Sequence, residues 1–365
     1  MPSTSKTRKK TSPKKQTGSL ARERSDSQPE GRSDSPAAGS LEVDERSADD
    51  AFLSLDIGGT NVTCGLVTRR GDVLATDIFP VAEAGETSAE IIQLVNKRLY
   101  ALWRDSKIGR PPLAVAIGAP GWIKPKEGIV VNAPNLKGWV NIPITKIVSE
   151  ALSLPVRLEN DSNLYALGEW LAGAGQGCDN QIVVTLGTGV GAGLILNGKL
   201  WNGSFTSAAE IGHIPLGPSN TVTCGCGRVG CLETMASARG IARMARKWLE
   251  AGKETIFKGT GEELNAQIMN ELAERGDPMS LHVFKQAGLA LGQILAGVFN
   301  LLSLERAVLG GGASGAFKFI KAALVEYLEP RLVTASIDQI QIVKSSLGIH
   351  APLVGGAGLL TAEGF

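Results

Sequence analysis

Cys224, Cys226 and Cys231 fall within eight positions of one another, and His213 stands eleven residues upstream of the first. Three thiolates and one imidazole make the Cys3His set that closes a tetrahedral zinc shell, with bonds of about 2.3 Å to sulfur and about 2.0 Å to nitrogen. Four protein ligands leave no position for water or substrate, so such a Zn2+ would organise a loop rather than do chemistry. A Cys224–Cys226 or Cys226–Cys231 disulfide, or three unrelated thiols, are the competing readings. Five cysteines in 365 residues, three of them in one segment, argue against a disulfide framework. The other histidines, His282 and His350, lie far from the cluster in sequence and read as structural or surface residues.

A second chemistry is written in glycine turns that end apolar runs: "DIGGTN" (56–61), "LGTGVGAG" (186–193) and "LGGGAS" (309–314). Backbone N–H groups with no side chain in the way form a nest for anionic oxygens. Any one such turn is explained as well by a tight hairpin, but three, two of them with Thr after or between the glycines, point to a nucleoside triphosphate. Walker spacing is absent, and no convincing dinucleotide fingerprint follows, which disfavours P-loop and NAD enzymes. Asp56, leading the first turn, is suited to partner Mg2+ directly or through water; capping the turn is its bland alternative. "LENDSN" puts Glu159, Asn160 and Asp161 at a strand end where a helix begins. Asp161 there could act as general base towards a hydroxyl nucleophile, and a helix N-cap has the same spacing.

Strands and helices must hold these groups over a common cleft. From Ala51, "FLSLDIGGTNVTCGLVTRRGDVLATDI" reads as a hairpin meander, followed by a helix over 88–103 and a buried strand "LAVAIGAPG". A helix over 145–152, the strand "PVRLEND" and a helix from 162 to 172 come next. At Ile182, "IVVTLGTGVGAGLILNGKLW" repeats the opening pattern weakly, which predicts two α/β domains facing each other. The apolar run 289–304 carries Gln293, Asn300 and Ser303 and is too short for a membrane span, so it reads as a buried helix. Residues 1–50 hold almost no large apolar side chains and read as a disordered tail, basic then acidic. A solvated leader is favoured there over a nucleic-acid contact. No apolar stretch with a cleavage site marks secretion, so the cytoplasm is the expected location.

From Ala51 to the end, the chain resembles the ROK family (repressors, ORFs and sugar kinases), on its sugar-kinase side. The signature E-x-G-H followed by C-x-C-G-x-x-G-C-x-E is met by Glu210, Gly212, His213, Cys224, Cys226, Gly227, Gly230, Cys231 and Glu233. "GAPGWI…APNLKGW", "ENDSN" and the three glycine turns follow the family order.

The resemblance implies an α/β, actin-like (hexokinase-type, ribonuclease H-like) fold with two domains around a cleft and a structural zinc loop. It divides the chain into 51–162, completed by 346–365, and 163–345. It implies an ATP-dependent hexokinase, glucose being the expected acceptor; N-acetylmannosamine, N-acetylglucosamine or fructose kinases and a sugar-responsive transcriptional regulator are the alternatives. Asp161 would be the catalytic base. Asn160, Asp161, Glu210, His213, Glu233, Gly121 and Asn135 would meet the sugar. Asp56, Gly58, Gly59, Thr60, Asn61, Gly187, Thr188, Gly189, Gly311 and Gly312 would cradle Mg-ATP, and His213, Cys224, Cys226 and Cys231 would hold Zn2+. The zinc motif favours ATP over polyphosphate. A homodimer is the expected assembly, with neither membrane nor nucleic acid as partner. The chain departs from the family pattern at Asn61, Val62 and Thr63, where many relatives carry Lys or Arg, and at Ser162, where Ala is more usual. The leader lacks the periodicity of a helix-turn-helix domain, which counts against the regulator.

Overall fold

In the computed structural model, which describes residues 50–106 and 108–365, the two similar sequence patterns become two five-stranded sheets with the same connectivity. In the first, β1 (Ala51–Ile57), β2 (Asn61–Thr68) and β3 (Val73–Pro80) form an antiparallel meander. The short helix α1 (Val81–Ala84) and α2 (Ser88–Asp105) follow. A capping box, Thr87 with Glu90, starts α2, and Ile91, Ile92, Val95 and Leu99 form its buried stripe. Next, β4 (Val115–Ala119) runs parallel to β1. A small sheet of β5 (Trp122–Lys124), β6 (Ile129–Asn132) and β7 (Val140–Ile142) and the helix α3 (Ile144–Leu152) lead to β8 (Val156–Asn160), parallel to β4, and then α4 (Asp161–Ala172). The strand order is β3-β2-β1-β4-β8.

The second half repeats this. The strands β9 (Gln181–Leu186), β10 (Val190–Leu196) and β11 (Lys199–Leu200) form the meander. Four helices intervene: α5 (Glu233–Ala236), α6 (Ala238–Glu250), α7 (Ala266–Glu274) and α8 (Pro278–Leu302). Then β12 (Arg306–Gly310) pairs parallel with β9, α9 (Phe317–Leu328) follows, and β13 (Gln341–Lys344) pairs parallel with β12 before α10 (Ala351–Ala362). The order is β11-β10-β9-β12-β13, and each sheet has its own apolar core.

The apolar run 289–304 lies almost wholly within α8, which starts earlier than its apolar residues suggest. The reason is Asp277, a buried N-cap that accepts from Ser280 N at 2.8 Å, followed by Pro278 at the first helical position. No helix among the described residues is long and apolar enough to cross a membrane.

Two helices join the halves. On one face of the first sheet, Leu353, Ala357 and Leu360 of α10 cover Phe52, Val67, Ala114 and Ala116. Tyr165 and Ala166 of α4 pack with Val183 and Val308 of the second sheet. Where α4 crosses α10, Gly168 lies under the Ala351 carbonyl and Gly355 under that of Leu164, so closely that neither site has room for a Cβ. The leader reading of residues 1–49 lies outside the described residues, but Asp50, its last position, belongs to the fold. Its carboxylate pairs with Arg69 and Arg110 at 3.5 and 3.0 Å.

Candidate active site

The strand ends of the two sheets meet where Ser162, just after β8, lies 3.3 Å from Thr185 near the end of β9 through their hydroxyls, and ligands of open α/β sheets bind at such ends. In the first sheet, Asp56 on β1 stands opposite Gly118 on β4, and Gly118 opposite Glu159 on β8. Gly118 keeps the middle of this row bare: a Cβ there would lie 3.3 Å from Asp56 Oδ1 and 3.5 Å from Asp161 Cα. Two carboxyl groups therefore share one floor. Burial, and then the charge of Asp161, push Asp56 up to about 8. Its Oδ1 is enclosed and has no hydrogen-bond partner among the described residues. An oxygen short of a partner beside a second carboxylate is one that a divalent cation completes, so Asp56 fits a Mg2+ site.

The cap of α4 is not Asp161 but its neighbour. Asn160 is the N-cap of α4, its Oδ1 accepting from Ser162 N at 3.0 Å and Asn163 N at 3.3 Å. Asp161 is the first helical residue, and its Oδ1 accepts from Ser162 N at 2.7 Å. Burial raises the Asp161 pKa despite the Ser162 hydrogen bonds. That makes it a stronger proton acceptor than an ordinary carboxylate.

Beside this floor is a cavity of about 390 Å3 whose wall includes Gly121, Trp122, Asn160, Asn163, Glu210 and His213. Gly121 has φ +83, and a Cβ there would strike the Asn132 carbonyl, so the wall requires glycine. Glu210 and His213 flank a single 3-10 turn, Ile211–His213, in which positions three apart eclipse, so both face the cavity. Burial raises the Glu210 pKa, His213 opposes the rise, and Asp161 and Glu233 add to it.

The sulfur atoms and the His213 nitrogen converge. All four potential ligand atoms of His213, Cys224, Cys226 and Cys231 lie within 4.8 Å of one another. His213 Nδ1 is 3.7 Å from Cys224 Sγ, and Cys226 Sγ is 3.8 Å from Cys231 Sγ. Tetrahedral zinc with bonds of about 2.3 Å requires ligand separations of about 3.7 Å, so the cluster fits the ion. All three thiols are unpaired, which removes the disulfide reading. The turn that holds them is tight: Cys224 N donates to Arg228 O at 2.7 Å and Gly227 N to Cys224 O at 2.9 Å. With Nδ1 turned to Cys224, Nε2 is the nitrogen that His213 offers to the cavity.

Three expected sugar contacts lie off this wall. Asp161 belongs to the floor. Asn135 packs on Gly59, where a Cβ would come within 3.1 Å of its own, and accepts a hydrogen bond from Arg239. Glu233 accepts from Val190 N at 3.1 Å through Oε2 and from the Cys224 thiol at 3.3 Å through Oε1, tying the second glycine turn to the cysteines.

The glycine turns occupy the strand ends as expected. The N–H of Gly58 bonds to Asn61 O and that of Gly187 to Gly189 O, so the donors left for an anion belong to the residues after them, Gly59, Thr60, Thr188 and Gly189. Gly311, at φ +82, packs against the backbone of Leu186 and brings its turn, with Gly312, alongside the second.

One support was not read from the sequence. Buried Glu159 accepts from Asn160 N and Asn163 Nδ2 through Oε1, and from Asn202 Nδ2 through Oε2, all at 2.8–2.9 Å. It thereby ties the start of α4 to the 202–208 loop that closes the cavity. The Asn202 bond spans 43 residues, so no local spacing announces it.

The ROK family model matches residues 52–363. A glucokinase of Halalkalibacterium halodurans is 32% identical over 318 residues, 86% of this chain and 95% of that one. The xylose repressor of Caldicellulosiruptor bescii is 30% identical over 320 residues, 86% of this chain and 78% of the repressor. The crystal structure of a ROK family glucokinase from Streptomyces griseus, in complex with glucose and AMPPNP, superposes with a TM-score of 0.72 at 31% identity, covering 85% of this chain and 98% of that one. The architecture is the actin-like α/β fold of these kinases. With the fold, the Cys3His cluster and the paired carboxyl groups in place, the match over nearly all the described residues settles membership: the chain belongs to the ROK family.

Proposed function

We propose that the chain is an ATP-dependent sugar kinase that phosphorylates the 6-hydroxyl of a hexose, glucose in the first instance. The observation that carries the reading is Asp161: a raised carboxyl at the head of α4, relieved of capping by Asn160, next in sequence to that cavity-wall residue and beside Asp56, which leads the first glycine turn. In this reading the hexose lies in the cavity, with the Asn160 amide, Glu210 and His213 Nε2 on its hydroxyls and the turns around 58–61, 187–189 and 311–312 on ATP.

Asp161 takes the proton of the 6-hydroxyl as that oxygen bonds to the γ-phosphorus. The bond from phosphorus to the bridging oxygen breaks, and ADP leaves. Asp56 would hold Mg2+, directly or through water, and the ion would neutralise charge on the phosphates. His213, Cys224, Cys226 and Cys231 would hold Zn2+, which would fix the His213 ring. We take 51–162, completed by 346–365, and 163–345 as two domains whose closure keeps water from competing with the sugar. Glucose as acceptor rests on likeness to glucokinases at 31–32% identity.

A coupled assay across a hexose panel, with ATP and then polyphosphate, tests the reading. Asp161→Asn should lower kcat by about 10³-fold or more, at the upper end of general-base effects, while sugar still quenches the fluorescence of Trp122 in the cavity wall. Full sugar-dependent turnover in that variant would remove Asp161 as the base.

A further inference from the structure

Neither glycine turn assigned to the donor phosphates carries a cation: residues 58–61 are Gly-Gly-Thr-Asn and residues 187–190 Gly-Thr-Gly-Val. Phosphoryl transfer spreads negative charge over oxygens in flight, and its stabilisation is mostly electrostatic. Peptide dipoles and one metal ion leave room for a guanidinium. The fold supplies one at the gap between the two turns.

Arg239 sits in the first turn of α6, where Ser237 caps the helix by accepting from Gly240 N at 3.0 Å. Its neighbour Ala238 donates its N–H to Gly187 O at 2.9 Å, which fixes this end of α6 on the second glycine turn. From there, Arg239 Nη2 reaches Asn135 Oδ1 at 2.9 Å, across 104 residues of chain. Asn135 is the residue that lies on Gly59 of the first turn. One side chain thus spans from turn to turn. Its partner is a neutral amide, no ion pair holds it among the described residues, and its head is exposed and accessible. Arg243, one turn further along α6, is already committed, donating to Thr234 O at 2.6 Å.

We propose that Arg239 is an anion-binding catalytic residue, exchanging the Asn135 amide for oxygens of the phosphoryl group as it passes from donor to sugar. The proposal rests on the kinase reading above. Arg239 takes part in no proton transfer: the proton of the sugar hydroxyl goes to Asp161 and the bridging oxygen leaves with ADP. A planar guanidinium suits the task, since its fork can bind two phosphoryl oxygens at once.

The test compares wild type with Arg239→Gln and Arg239→Lys by two readouts. With ATP and the accepted hexose, Arg239→Gln should lose about 100-fold in kcat, the effect of removing one charge-stabilising donor, with sugar KM little changed. Lysine should recover part of the loss, and guanidinium ion in solution should restore part of the Gln variant's rate, which it could not do for a side chain that merely bridged. Binding of inorganic tripolyphosphate, which needs no turnover, should weaken about tenfold in Arg239→Gln through loss of a charge-assisted contact. If either kcat or tripolyphosphate affinity stays within about threefold of wild type, smaller than any charged contact of this kind is worth, Arg239 is not the phosphoryl cation. The kinase reading then stands so long as wild type turns over; a wild type without sugar-dependent ATP turnover sinks both.

Discussion

The two sheets share a strand order and differ in what their strand ends carry. On β1, Asp56 stands opposite Gly118; at the matching place on β9, Thr185 stands opposite Gly310. After β8 comes Asp161 at the head of α4, whereas α10, reached from β13, opens on Ala351 and Pro352. The backbone cradle is therefore present twice and the charge once. Electrostatics explains the asymmetry: burial, and then the charge of Asp161, already push Asp56 up to about 8, and a second such pair across the cleft would add to the repulsion. At the matching places on the second side stand the Thr185 hydroxyl and peptide groups, and the carboxylate that comes to its turn, Glu233, is taken up by Val190 N and the Cys224 thiol.

Making the halves alike should be the most damaging change. Thr185 Oγ1 lies 3.3 Å from Ser162 Oγ, beside Asp161, so Thr185→Asp would add an uncompensated carboxylate to the floor. We expect a loss of at least about 3 kcal/mol, short of the roughly 5 kcal/mol that a fully buried unpaired charge can cost, because Thr185 is half-buried. Urea unfolding at pH 8 measures it; a loss below about 1 kcal/mol, as at an ordinary surface site, would show the asymmetry to be incidental.

Removing the charge from the first side should act more gently and only with pH. The folded pKa of Asp56, about 8, lies above its ordinary value, so the folded state holds the proton more tightly. The contribution of Asp56 to stability without ligands is thus fullest below about pH 4 and is lost as pH rises towards 8. Each pKa unit is worth roughly 1.4 kcal/mol at most, and discounting for partial solvent contact leaves about 3 kcal/mol across that window. Asp56→Asn should flatten the curve of unfolding midpoint against pH; parallel curves would disprove the shift.

The smallest effect concerns the cysteine loop, which in the proposed reading serves the sugar rather than the phosphates. Cys226 is exposed, so Cys226→Ser should fold, bind Zn2+ far less well than wild type and raise the sugar KM about tenfold by releasing His213. An unchanged KM in a folded, zinc-free variant would uncouple the metal from the cavity.

How much of this was legible follows from distance along the chain. The glycine turns, the Cys3His cluster and the start of α4 are local patterns, and each is found where its spacing places it. Whether Asp161 capped its helix depended on the rotamer of Asn160, which spacing does not determine. Glu233 lies two residues from Cys231, yet its carboxylate turns to Val190, 43 positions away. The Arg239–Asn135 contact joins opposite halves, and nothing near either residue foretells it. The early start of α8 was signalled by Asp277-Pro278, but its polar first turns hid it from a reading led by apolar runs.

The cover that α10 gives the first sheet also has a meaning in time. Phe52 and Val67 are among the first core residues of the fold to be synthesised, while Leu353, Ala357 and Leu360, which shield them, are among the last. On the ribosome that face of the sheet stays bare until α10 has emerged, about 300 residues after β1, so the first sheet is finished only after the second has been made, and its apolar face is open to non-native contacts in the interval.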